Sequence, residues 1–386
     1  MAQNADTVIN PGVKQIDLID IGLRVLNRNP ASREEDVVTD KGRVHFGVFP
    51  AAGYTLQTGY AGVISANAAF FTNIHNHVTE NISTVVTSFA YTSNNQIIFP
   101  IASSIWTKNN KYNILADWRY LRYPSETFGL GGHTKQDSFY NLDYSYIKLH
   151  QAVLRNIGRD LYAGLGIDFD YFWNIREVNP PSDRVTDFDQ YGFSNSEKAS
   201  GLSLILKYDS RRNSINPQKG IYAGILFQPK FSFLGSDANW QSLLLEFRTY
   251  IKFPFQSQNI LAFWSYNWFT LGGSPPYLLL PSTGWDEFSN TGRGYIQGRF
   301  RGLNMIDQEV EYRFVVSRNG LFGGVVFADA ESFSETATGK FEVISPGAGL
   351  GIRVKLNKFS RTNIALDYAW GTQGSGGFFV NLGEVF

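Results

Sequence analysis

The sequence predicts an all-β protein: a 16-stranded antiparallel transmembrane β-barrel with a short N-terminal amphipathic helix. Three observations carry this reading. From Val44 to Phe386 the chain divides into sixteen runs of about ten residues, the length a tilted strand needs to cross a bilayer. Within the runs apolar residues alternate with polar or small ones. The connections alternate too: the longest all fall at odd positions, and those at even positions are short.

Composition narrows the class. Aromatics make up 15% of the chain, while charged residues reach only 18%, below the roughly 25% of ordinary soluble domains. There is no cysteine, which suits an oxidising compartment. Lys+Arg and Asp+Glu balance at 34 each, so charge makes no case for nucleic acid. No apolar run approaches the roughly 18 residues of a membrane-spanning helix. Residues 1–6 read as a mature secreted N-terminus behind an initiator Met, with a signal segment removed.

Two regions follow. Residues 1–41 are expected to form a periplasmic segment and residues 42–386 the barrel. Residues 10–30 predict the helix, with Asn10 to cap it and Pro11 at its first position. Ile16, Ile19, Leu23 and Leu26 form one stripe, which is expected to pack on the membrane face or the barrel mouth. Residues 31–41 read as a polar linker.

The strand runs are 44–52, 59–71, 82–91, 96–107, 112–123, 138–153, 160–175 and 198–209 in the first half. The second half gives 220–233, 240–253, 260–269, 305–316, 321–332, 346–355, 362–370 and 377–386. In the seventh run Leu161, Ala163, Leu165, Ile167, Phe169, Tyr171 and Trp173 oppose Tyr162, Gly164, Gly166, Asp168, Asp170, Phe172 and Asn174. In the twelfth, Val310, Tyr312, Phe314 and Val316 oppose Glu309, Glu311 and Arg313. A soluble sandwich also alternates. Aromatics at the ends of apolar faces, as in Tyr171/Trp173 and Tyr368/Trp370, tip the balance to the girdles of a membrane barrel.

Short turns on the periplasmic side and long loops outside are the rule for such barrels. The long connections are 124–137, 176–197, 270–304 and 333–345; the short ones include 156–159, 317–320 and 357–361. The third long connection is broken by Pro275, Pro276 and Pro281 and carries Arg293, Arg299 and Arg301 beside Tyr295 and Phe300. Connections of this length are functional or disordered, and this one is too rich in bulky groups for a linker. It is expected to dock onto something acidic. The final run ends on Phe386, the aromatic ending that barrel assembly machinery recognises; Phe378, Val380, Leu382 and Phe386 share a face that Glu384 interrupts.

Three places resemble the BamA/TamA superfamily of outer-membrane proteins, also called bacterial surface antigens, across roughly residues 44–386. Arg293-Gly294-Tyr295 is similar to the family's Arg-Gly-aromatic motif in the sixth outer loop. Residues 209–220 resemble its turn after the eighth strand, and Phe327-Ala328-Asp329 its Phe-x-Asp element in the thirteenth. The resemblance implies a sixteen-stranded barrel with an inturned sixth loop, locked by Arg293, Gly294 and Tyr295 against Glu311, Phe327 and Asp329. The face of Glu311 agrees with this, and a planar guanidinium suits a bidentate carboxylate. Family members that handle proteins carry POTRA domains, and the forty or so residues before the first strand are expected to hold none.

The expected location is the bacterial cell outer membrane, with lipid bilayer and lipopolysaccharide around the wall. The leading functional expectation is a porin-like channel for small solutes, its lumen narrowed by the sixth loop. The alternative is an outer-membrane protein assembly or translocation factor of the BamA/TamA type working without POTRA domains. No catalytic motif such as Gly-x-Ser-x-Gly is present, and no cofactor is expected. His75 and His77 form a close pair without a third ligand, so no metal is expected either.

Overall fold

The computed structural model describes residues 14–27, 44–55, 57–72, 81–192, 194–211, 213–287, 289–358 and 360–386. His75 and His77 lie outside the described residues, as do Asn10 and Pro11. All described strands belong to one sheet. They are β1 (His45–Thr55), β2 (Gly59–Phe70), β3 (Ser83–Thr92), β4 (Ile97–Trp106), β5 (Tyr112–Arg122), β6 (Ser125–Thr127), β7 (Tyr140–Gly158), β8 (Leu161–Val178) and β9 (Ser196–Asp209). Then come β10 (Gly220–Lys230), β11 (Trp240–Lys252), β12 (Ile260–Gly273), β13 (Asn304–Val315), β14 (Phe322–Phe333), β15 (Ser345–Asn357), β16 (Thr362–Trp370) and β17 (Gly376–Leu382).

The wall has sixteen strands, because β6 continues β5. Both pair with β7, and Pro124 between them has no N–H to give the ladder. Every other neighbour in the wall is an antiparallel partner in sequence order. β17 comes to lie beside β1, yet among the described residues no ladder joins the two. Among the described residues β1 and β17 thus adjoin without strand hydrogen bonds.

The period-two pattern places the greasy face outside. On β8, Leu165 and Ile167 are 66% and 64% exposed, whereas Asp168 and Asp170 are 3% and 2% exposed. Leu350, Ile352, Leu366, Phe378 and Leu382 continue this outward surface across β15 to β17. A monomer dissolved in water does not expose apolar area on this scale, and lipid is the solvent it fits. One interruption on β8 is Asn174, which the alternation placed inward. It adopts a left-handed φ of 56° and is exposed at a bulge where the register against β7 shifts.

Several elements differ from the sequence-based expectation in instructive ways. The helix α1 is shorter, Leu18–Val25, and its cap is Asp17, whose side chain accepts the Asp20 N–H. Polar contacts rather than the apolar stripe dock it at the short-turn mouth. Asp17 accepts the Lys358 N–H at 2.8 Å, Asp20 meets the Lys358 ammonium at 3.0 Å, and the Ile16 N–H reaches the Asn319 carbonyl. Ile16, Ile19 and Leu23 are half-buried, and Leu26 is exposed. The turn expected at 156–159 is tighter, since β7 and β8 are joined by Arg159 and Asp160 alone, Asp160 having φ 63°. The last strand stops at Leu382, where Gly383 at φ 101° turns the chain inward.

Both ends of the cylinder are covered. Outside, the helix α2 (Asp187–Gly192) and the loops after β6, β12 and β14 interlock. The Leu130 N–H reaches Asp187, the Gly131 N–H the Arg301 carbonyl, and the Gly132 N–H Glu335. Beneath them Phe188, Tyr277, Leu278 and Leu280 pack on Tyr140, Leu142, Tyr144 and Phe172 in one apolar cluster. At the other end the turn between β9 and β10 reaches across to the turn before β16, with Asn213 and Asn216 amides donating to the Ser360 and Arg361 carbonyls.

The lipid-facing assignment is testable. Ile167→Arg places a charge near the middle of an outward strand, and about 2–4 kcal/mol of destabilisation is expected in bilayers. Denaturant unfolding of the variant in lipid vesicles measures it, and an unchanged midpoint would count against lipid contact there.

Candidate functional site

The site is built where the inner faces of β13, β14, β15 and β16 meet the inturned loop, residues 274–303, of which Phe288 lies outside the described residues. Alternation along β13 turns Asp307, Glu309, Glu311 and Arg313 to the inside, all buried. The register sets Glu309 opposite Asp329 and Glu311 opposite Phe327 on β14. β15 adds Arg353 and β16 adds Asp367, paired across Gly351 and Ala365. Carboxylates thus crowd one patch of the inner wall, and like charges set side by side are unfavourable without a counter-charge.

The loop supplies it. Asp286 accepts the N–H groups of Asn290 and Thr291, both at 2.8 Å, and the Thr291 hydroxyl. This local turn presents Arg293 between Gly292 and Gly294, which have φ 68° and 111°. A Cβ on Gly294 would stand 2.9 Å from the Trp370 backbone, so only glycine lets the loop approach the wall there. The Arg293 side chain is 1% exposed. Its guanidinium bonds Glu309 and Glu311 directly and Asp367 at 2.8 Å. Its flat face lies 3.5 Å over the centroid of Phe327, a cation–π contact in a dry setting.

Tyr295 continues the lock. Its hydroxyl donates to the Pro346 carbonyl at 2.7 Å, and its ring packs edge-on against Phe300 at 5.2 Å. Ser375 donates to the Gly294 carbonyl. Arg299 and Arg301 do other work. Arg299 bonds Thr134 and Gln136 of the outer cover, and burial, only partly offset by Glu331, pushes its pKa down to about 10. Arg301 bonds the Tyr277 carbonyl.

Asp329 makes no hydrogen bond to the Arg293 guanidinium, and among the described residues neither of its oxygens has a hydrogen-bond partner. It lies instead under Gly347, 2.6 Å from where a Cβ would stand, alongside the Arg293 carbonyl. The register explains this: on β14 the Phe327 ring takes the space beneath the guanidinium. Sequence reasoning missed Glu309 and Asp367 as partners of Arg293, although Glu309 sat on the polar face of the twelfth run.

The network extends further. Two of the three carboxylates around Arg293 are shared with a second arginine. Glu311 also accepts from Arg313 at 2.6 Å, and Asp367 also accepts from Arg353. Arg353 and Arg313 both reach Glu384, at 2.7 and 3.8 Å. Glu384 belongs to the segment that Gly383 turned inward. Its neighbours Val385 and Phe386 are 3% and 2% exposed, with the Phe386 ring 5.3 Å from Trp264. A separate group lines the opposite wall: Lys230 lies 3.1 Å from Asp168, and His150 lies 2.9 Å from Asp170. Among the described residues no three His, Asp or Glu side chains are grouped to hold a metal.

Comparison with known proteins follows from this geometry. The sequence matches no family model and no curated protein. Solved structures do match. BamA from Haemophilus ducreyi lacking POTRA domains 1-3 aligns with a TM-score of 0.56 and 13% identity, over 91% of this chain and 76% of that one. CdiB from Acinetobacter baumannii gives 0.56 and 12%, over 88% and 60%. CdiB from Escherichia coli gives 0.52 and 10%, over 87% and 61%. This chain has the fold of the BamA and CdiB barrels. At these identities the likeness is one of fold, and the chain spans about 60% of the length of either CdiB.

Arg293 is a counter-charge of three wall carboxylates and, among the described residues, the sole arginine on Glu309. Arg293→Gln leaves Glu309 without a counter-charge and weakens the other two pairs, and a loss of roughly 3–5 kcal/mol is expected. Thermal unfolding in detergent, read by the heat-dependent gel shift of a folded barrel, checks this. A midpoint within a degree or so of the parent would show that the loop is held by other contacts.

Proposed function

We propose that this chain is an outer-membrane barrel of the BamA/TamA type that acts on other proteins through its wall, in assembly or translocation. The observation that carries the reading is the combination of a covered lumen with an unzipped seam. The inturned loop, the outer cover and the crossing turn all occupy the route a solute would take. Among the described residues, by contrast, ladders join every pair of neighbouring wall strands but β1 and β17. Free strand edges are templates for another strand. The structural likeness to BamA supports the same reading. A porin-like channel, the leading expectation from sequence, has less support, because its conductance would require the loop to leave Arg293's carboxylates. Outer-membrane residence, with lipid and lipopolysaccharide around the wall, belongs to this proposal, as does dependence on barrel assembly machinery for its own insertion.

The test exploits the absence of native cysteine. Cysteine pairs are scanned across β1 and β17 until one cross-links the seam. The purified barrel is reconstituted in liposomes, and two rates are followed: insertion of an unfolded outer-membrane barrel and swelling in small sugars. The expected outcome is stimulated insertion that the cross-link abolishes and reduction restores, with little swelling. Porin-like swelling that ignores the cross-link, without stimulated insertion, would overturn the proposal in favour of a channel.

A further inference from the structure

We propose that residues 383–386 form a lumenal latch that holds the inturned loop in place by completing a closed ring of alternating charges. The ring runs Arg293, Glu311, Arg313, Glu384, Arg353, Asp367 and back to Arg293. Its members come from the loop, β13, the chain end, β15 and β16. Three guanidiniums alternate with three carboxylates, so the ring itself is neutral.

The geometry makes the parts interdependent. Glu311 gives one oxygen to Arg293 and the other to Arg313. Asp367 accepts from both Arg293 and Arg353. Glu384 Oε2 faces both Arg353 and Arg313, and its Oε1 accepts from Asn363 at 2.6 Å. Loss of the Glu384 charge makes the ring net positive and leaves Arg353 and Arg313 short of a partner. They then compete with Arg293 for Asp367 and Glu311. The sign is fixed: undocking the segment weakens the hold on the loop.

The segment is held by side chains and by two main-chain bonds beyond the β16–β17 ladder. Strand pairing of β17 ends at Leu382. Beyond it the Gly383 N–H reaches the Asn363 carbonyl, and the Glu384 N–H reaches the Ile215 carbonyl of the crossing turn. Arg313 donates to the Phe386 carbonyl at 2.9 Å, and the Phe386 ring lies 5.3 Å from Trp264 and 6.3 Å from Tyr250. The loop also touches the segment directly, through Asn290 to the Val385 carbonyl at 2.8 Å. Contacts from the loop, the wall and the short-turn end therefore converge on four residues. Because the latch follows β17 directly, it ties the state of the loop to one lip of the seam. This inference does not rest on the proposed function, since it concerns only the loop and the segment.

Coupling is reciprocal, and that provides the experiment. Thr291→Cys, buried in the loop, and Val385→Cys, buried in the segment, are made separately in the full chain. Labelling by a charged maleimide is timed on detergent-solubilised protein whose folded gel migration is confirmed. Glu384→Gln is expected to speed labelling at position 291 by about tenfold, an ordinary coupling strength. Arg293→Gln is expected to speed labelling at position 385 by a similar factor. If Glu384→Gln does not fold, Phe386→Leu releases the segment without changing charge and is expected to give a smaller increase at position 291. Unchanged labelling at 291 when 385 has become reactive, or the converse, would overturn the latch.

Discussion

A guanidinium buried in a membrane barrel must be matched charge for charge, and the interior of this protein is arranged around that demand. Arg293 is nearly inaccessible and lies among three carboxylates of the wall. Taking one such ion from water costs several kcal/mol, and only close, multiply bonded partners offset it. Two of these partners are in turn shared with Arg313 and Arg353, so that the compensation is collective. Departure of the loop would strand Glu309 and take one of two arginines from Glu311 and Asp367.

The wall makes this possible through register. Antiparallel pairing with no slip along β12 to β14 lines Glu309, Glu311 and Arg313 on one face and sets Phe327 beside Glu311. A slip of one residue would turn these charges to the lipid and the outward valines and tyrosines to the lumen. Small residues do the fitting. Gly294 admits the loop backbone against Trp370, and Gly347 leaves room for Asp329 and the Arg293 carbonyl. Gly351 leaves room for the Asp367 carboxylate itself.

The same arrangement separates two properties that a barrel can trade. The lumen is dense with interlocked loops and charge pairs, whereas among the described residues no ladder joins β17 to β1. The chain end sits between them: its residues follow the seam strand, yet their side chains close the lumenal ring.

The sequence by itself determined the wall. Period-two alternation and the odd-even sorting of loop lengths located all sixteen strands to within a few residues, because a strand between lipid and lumen must alternate at every position. It also determined that Arg293, Gly294 and Tyr295 were special, since charge, glycine and aromatic residues crowd a loop too long to be a linker. Only the tertiary structure decided which carboxylates Arg293 meets. Glu309 and Asp367 lie 16 and 74 residues away along the chain, and distance through space depends on how the cylinder curves and how deep the loop reaches. The fate of Glu384 was decided in the same way. In the sequence it spoiled the apolar face of a final strand; in the folded protein it lies beyond that strand's end, where only the assembled lumen offers two arginines to receive it.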